Sequence, residues 1–190
     1  MSNKYTETLS RFKKLIENDN RRNSKEENIE NIRDFLEWYI YNCPSNKGPE
    51  TSKKFIDYGL KTPHDYKKLK SRIVDNIGLK KDTSYIYCTQ GLEKENSTII
   101  DAIEKNLSSD ITPLIYFSKG EHEQIDSLYI RIRNAFAHGN FFLIKNTNFY
   151  CLWNEINKKN KPTQLGAFMI LNYSHLKFIY NVLDKFSTNP

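Results

Sequence analysis

Cysteine is scarce in this chain, and the three present, Cys43, Cys88 and Cys151, are far apart, odd in number and never in a CxxC pair. Neither a disulfide scaffold nor a zinc site is suggested by such spacing, so reduced, mostly buried thiols are expected. Long apolar runs are missing as well. None approaches the roughly 18–20 residues that a membrane span needs, and the opening MSNKYTETLSRF has no hydrophobic signal-peptide region. The expectation is a soluble cytoplasmic protein without a membrane partner. There is no internal repeat. His64 follows Pro63 at a helix start, His122 sits between glutamates and His175 follows Ser174, none with a second ligand at metal spacing, so no metal or other cofactor is expected.

What is present fits one folded domain over residues 1–190, a length that supports a single core. Aromatics at 13% argue against a disordered chain. The formal net charge of +6 is unevenly placed. Between Lys53 and Lys81 lie Lys53, Lys54, Lys61, Lys67, Lys68, Lys70, Arg72, Lys80 and Lys81 against Asp57, Asp65 and Asp75, nine against three, which equals the whole excess. Tyr58 and Tyr66 are interleaved with these charges, a pattern that can track a phosphate backbone while stacking bases. Lys67, Lys68, Lys70, Arg72 and, further on, Arg131 are therefore candidate RNA contacts. The competing reading is an ordinary solvated helix face in a chain rich in lysine.

Helical spacing recurs over most of the first 140 residues. Tyr5, Leu9, Phe12, Leu15 and Ile16 define a helix over about 5–18. After a polar loop, Ser24 and Glu27 resemble a capping box before Ile29, Ile32, Phe35, Leu36, Tyr39 and Ile40, with Pro44 ending that helix. Residues 51–59 suit a short helix, Thr62 and Pro63 open another to about Asn76, and Gly78 closes it. The run SYIYCTQG is too short to separate a strand from a buried connection. Residues 97–107 return to helical spacing, and Asp110–Lys119 reads as a turn broken by Pro113. Beyond residue 140, FFLIK and FYCLWNEI read as a hairpin. KKNKP is a second turn, and Thr163–Leu171 is a third strand weakened by Gly166. Ser174 is read as the cap of a final helix over about 174–187. The overall expectation is a mainly α bundle over about 1–140, with a small hairpin or meander over about 141–172.

The most informative run is RNAFAHGN. On a helical wheel of residues 121–138, Ile125, Leu128, Tyr129, Ile132, Ala135 and Phe136 share an apolar arc of roughly 120°. Arg133, Asn134 and His138 fall on the other side. Arg133 and His138 are about 140° apart and about 7.5 Å apart along the axis. They can meet at one anion only if the helix end loosens or a second chain contributes. Gly139 suits a left-handed C-terminal cap. Ile130 and Ala137, apolar or small on the polar side, mark a contact surface for a second copy.

RNAFAH resembles the Arg-x4-His signature of the HEPN superfamily, with a polar residue, Asn134, after the arginine. Members of this kind include ribonuclease toxins and antiviral defence proteins. The resemblance covers residues 125–140 specifically. It implies a small helical bundle, usually dimeric, with the motifs of two protomers facing each other, and metal-independent RNA cleavage by Arg133 and His138 with Asn134 in support. A reading that differs from this one only in regulation is a toxin masked by an antitoxin or held by a defence-system partner. Asn140 stands where members modified by a nucleotidyltransferase partner carry tyrosine, which sets that mode of regulation aside.

The chemistry suits the residues. The 2′-hydroxyl of RNA can attack the adjacent phosphorus once its proton is removed. An imidazole moves protons near neutral pH, and a guanidinium offers a planar fork to two phosphate oxygens. The alternative is a non-catalytic HEPN-like module that binds RNA or protein and uses this helix to dimerise.

Overall fold

The computed structural model describes residues 4–17, 22, 32–44, 53–88, 96–108, 110–119, 124–157 and 163–186. The elements in chain order are α1 (Lys4–Ile16), α2 (Arg33–Glu37) running into a π-helical turn (Trp38–Asn42), and a 3₁₀ turn (Phe55–Tyr58). Then come α3 (Pro63–Ile77), β1 (Tyr85–Cys88), α4 (Asn96–Ser108), β2 (Leu114–Ser118) and α5 (Gln124–Ala137), followed by β3 (Phe141–Leu143), β4 (Phe149–Ile156), β5 (Gln164–Asn172) and α6 (Tyr173–Asp184). The expected mainly α bundle with a small appended hairpin is incorrect. The fold is mixed α/β, built on a five-stranded sheet of order β1-β2-β5-β4-β3.

β1 and β2 pair in parallel and every other neighbour pair is antiparallel. A parallel pair needs a crossover connection, and α4 supplies it between β1 and β2. The meander β3-β4-β5 was legible in the sequence, but it forms more than half of the sheet. The strand that departs from expectation is β2, which lies within the Asp110–Lys119 segment expected to be a turn broken by Pro113. All five of its residues are buried. A strand covered on both faces shows no polar alternation, and five residues are too few to declare a period.

Alternation reappears when the two faces are separated. On one face Tyr85, Ile115, Phe117, Leu143, Tyr150, Leu152, Ala167, Met169 and Leu171 join the core made with α2, α3, α5 and α6. On the other, Cys88, Leu114, Tyr116, Phe142, Cys151, Trp153, Phe168 and Ile170 pack with Phe12 and Ile16 of α1 and Ile99 and Ile103 of α4. The molecule is thus layered helix, sheet, helix. Phe12 is fully buried, with its ring edge-on to Phe168 at 5.3 Å and to Trp153 at 6.2 Å. Fully burying each such side chain contributes about 1.5–3 kcal/mol.

Local signals account for several boundaries. Thr62 Oγ1 accepts the Asp65 amide and Asp65 Oδ2 accepts the Thr62 amide at 2.8 Å, a reciprocal box. The Thr62 hydroxyl, donating to Oδ2 at 2.8 Å, and then the Thr62 amide hold the Asp65 carboxyl below its usual range. Gly78 ends α3 at φ 74°. The last helix starts earlier than expected. Its cap is Asn172, whose Oδ1 accepts the His175 amide at 2.8 Å, so Ser174 lies inside the first turn. The Ser24/Glu27 box, the KKNKP turn and His122 lie outside the described residues. Cys43, Cys88 and Cys151 are free thiols and buried. Among the described residues no helix is long and apolar enough to cross a membrane.

Candidate functional site

α5 carries the RNAFAHGN run, and its expected inward arc is correct: Ile125, Leu128, Tyr129, Ile132, Ala135 and Phe136 are all buried. The helix also buries Asp126, Ser127 and Arg131. Its surroundings explain this wider burial. One side lies on β2 and β4, and another is covered by the π turn, where Trp38 meets Tyr129 edge-on at 6.3 Å and Tyr39 meets Phe136 at a tilt at 5.3 Å between ring centroids. The hydroxyls of Tyr39 and Tyr129 donate to the carbonyls of Leu176 and Ile179 at 2.8 and 2.6 Å, and desolvation keeps both phenols protonated far above their ordinary range.

At its far end the helix closes regularly. The amide of Gly139 donates to Phe136 O and that of Asn140 to Ala135 O, with Gly139 at φ 66°. This pair of bonds is the Schellman cap that the glycine suggested. Asn140 O then accepts the Trp153 amide at 3.1 Å, which ties the exit of the helix to β4.

Arg133 and Asn134 are half-buried and His138 is exposed. Arg133 Nη1 donates to Asn134 Oδ1 at 3.4 Å. The charge of Arg133 is also felt by Cys43, where it opposes the stronger effect of burial that pushes the thiol up. Arg133 therefore lies near the end of the π turn, one helical turn beyond Tyr129, whose carbonyl accepts the Cys43 thiol at 3.7 Å. His138 donates its amide to Asn134 O at 3.1 Å, so the backbone stays helical up to the cap. The helix end does not loosen. The separation of about 140° between Arg133 and His138 accordingly persists, and among the described residues no hydrogen bond joins their side chains. Ile130 is half-buried and Ala137 exposed, on the same outer ridge.

The proposed RNA-contact set divides. Lys67 is exposed and Lys68 half-buried. Lys70 is engaged instead, donating to Gln124 Oε1 at 3.0 Å and lying 5.4 Å from the Tyr85 ring centroid; burial, then Lys81, lowers its pKa. Arg72 sits over the Phe186 ring at 5.6 Å. Tyr58 is buried with Lys53 over its ring, and Tyr66 packs against the core, so neither is a free stacking platform.

Arg131 departs furthest from expectation. It is 9% exposed, with Nη1 donating to Asn154 Oδ1 at 2.7 Å and Nη2 to Ser118 Oγ at 3.4 Å. Ser118 Oγ in turn donates to Gly166 O at 3.1 Å. Arg133 and Arg131, two residues apart, occupy opposite sides of α5, so the two do not share one surface. Asn154 and Ser118 escaped the sequence reading; an asparagine inside the apolar run FYCLWNEI was the available signal.

Among the described residues no three His, Cys, Asp or Glu side chains gather as a metal site. No family model, curated protein or solved structure matches this chain.

Proposed function

We propose that this chain is a metal-independent endoribonuclease acting in the cytoplasm as a toxin or phage-defence effector, with a site composed of two copies. The observation that carries the reading is the outer ridge of α5. Arg133 and Asn134 touch, and His138 stands exposed one turn later on a firmly capped end. The resemblance to HEPN ribonucleases supports the assignment through these three residues alone, since the bundle it implied is not the fold.

Regular closure of the helix keeps Arg133 and His138 of one chain apart, which favours a shared cleft. In it, His138 of one protomer takes the proton from a 2′-hydroxyl, whose oxygen bonds to phosphorus. The bond from phosphorus to the 5′-oxygen breaks, and the partner's His138 protonates that leaving oxygen. Arg133 neutralises the extra negative charge on the phosphoryl oxygens, and Asn134 holds the Arg133 fork through their contact. Products are a 2′,3′-cyclic phosphate and a 5′-hydroxyl.

A second reading is favoured by the position of Arg133 beside Cys43 at the end of the π turn, where a cation also suits exposed carbonyls. In it the ridge is a non-catalytic dimer contact for an RNA- or protein-binding module. Incubating the protein with total RNA in chelator, beside His138→Ala and Ile130→Asp, separates the two. The nuclease reading expects cleavage lost in His138→Ala; 5′-phosphate ends or metal-dependent cutting overturn it. The module reading expects no cleavage by any form, with its dimer lost only in Ile130→Asp.

A further inference from the structure

The sheet holds a second polar centre on the other side of α5. Arg131 reaches from the helix across the ends of three strands, to Asn154 in β4, to Ser118 in β2 and, through Ser118, to Gly166 in β5. The sheet yields to admit it. Pairing of β4 with β5 is irregular at Asn154/Glu155, with Asn154 opposite Ala167 and Glu155 opposite Leu165, so Gly166 is the extra residue. A Cβ on Gly166 would lie 3.1 Å from Arg131 Nη1. A glycine at a bulge facing a buried arginine is a built feature.

Charge makes the arrangement unusual. Both acceptors of the guanidinium are neutral, and among the described residues no carboxylate lies within ion-pair distance of it. The nearest acid along β4, Glu155, is bound to Lys13 Nζ at 3.3 Å. Burial pushes the Arg131 pKa down to about 10, and among the described residues no countercharge opposes it. Buried charges are ordinarily paired, and a guanidinium has more donors than the two used here. Ser118 is paired in register with Cys88, so the cluster sits at the carboxyl ends of the parallel strands β1 and β2, where open α/β sheets bind their ligands. Lys119, exposed, follows directly and donates its amide to Cys88 O at 2.8 Å, adding a second cation at this edge.

We propose that Arg131, Asn154 and Ser118 form a binding site for a terminal phosphate, separate from the Arg133/His138 ridge and independent of the nuclease reading. Deep placement selects the chemical class. With Arg131 only 9% exposed, a compact phosphate with free oxygens, as inorganic phosphate, a mononucleotide or a 5′-phosphorylated RNA end presents, is favoured over a phosphodiester flanked by a sugar on each side. The fork of Arg131 takes two of its oxygens and the amide nitrogen of Asn154 a third.

The test titrates the full chain with inorganic phosphate, adenosine 5′-monophosphate, and 2′-O-methyl oligoribonucleotides with 5′-phosphate or 5′-hydroxyl ends. Calorimetry and thermal melting are followed at constant ionic strength. At least one phosphate-bearing probe should bind saturably and raise the melting temperature with concentration, and the set that binds identifies the source of the phosphate. Asn154→Asp places a carboxylate against Arg131 without changing shape. It should melt at or above the wild-type temperature while binding the same probe at least tenfold more weakly. Arg131→Met should also lose binding, and Asn154→Asp keeps the test decisive if that variant does not fold. No binding by any probe beyond a chloride control, or equal binding by Asn154→Asp, overturns the proposal.

Discussion

Replacing Gly166 with alanine sets two physical effects of opposite sign against each other. Considered only as a strand residue, glycine loses more chain entropy on folding than alanine, and Gly→Ala at a compatible site stabilises by about 0.4–1 kcal/mol. The tertiary structure reverses the expectation. A Cβ at Gly166 would stand 2.5 Å from Ile156 Cγ1, 2.7 Å from Ile156 Cδ1 and 3.1 Å from Arg131 Nη1. Ile156 is half-buried and can turn partly away, but Arg131 is held at 2.7 Å by Asn154. Overpacking of this kind costs about 1–3 kcal/mol, so after the entropic gain is subtracted the net change is destabilising by about 1 kcal/mol. For a domain of this size that lowers Tm by about 2–4 °C. Urea unfolding and thermal melts followed by circular dichroism measure it. In an Ile156→Ala background most of the clash is gone, so the same substitution should cost at least about 1 kcal/mol less. A Gly166→Ala protein that melts higher than wild type, or an equal cost in both backgrounds, refutes the close approach.

Three further outcomes are expected. Thr62→Ala removes the α3 cap and should cost about 1 kcal/mol by denaturant unfolding, with Thr62→Ser nearly neutral. His175 is half-buried and burial lowers its pKa from 6.5, while its Nδ1 accepts the Asn172 amide at 3.4 Å. As pH falls below 6.5 the unfolded chain therefore takes up a proton that the folded chain resists. Stability present above pH 6.5 is lost as pH drops through the lower folded value, and His175→Gln should flatten that slope in melts between pH 5 and 7.5. For RNA cleavage in chelator, Arg133→Lys should retain charge but lose the fork and fall at least tenfold, whereas Lys70→Gln, whose cation is already engaged, should change the rate little.

The sequence by itself determined the elements whose signal is local. The inward arc of α5, its glycine cap, the Thr62 box and the three-strand meander all rest on periodicity or on bonds spanning a few residues. It also singled out Arg133, Asn134 and His138. Only the tertiary structure decided that the fold is a layered sheet, because β1 and β2 are short, β2 is covered on both faces, and the two pair across a helical crossover. The fate of the charges was likewise settled by long-range packing. Nothing near Arg131 in the chain reveals that β2, β4 and β5 meet around its guanidinium, or that Lys70 and Arg72 end up against aromatic rings. Sequence neighbours fix how a residue faces along its own helix; what waits on that face is set by strands dozens of residues away.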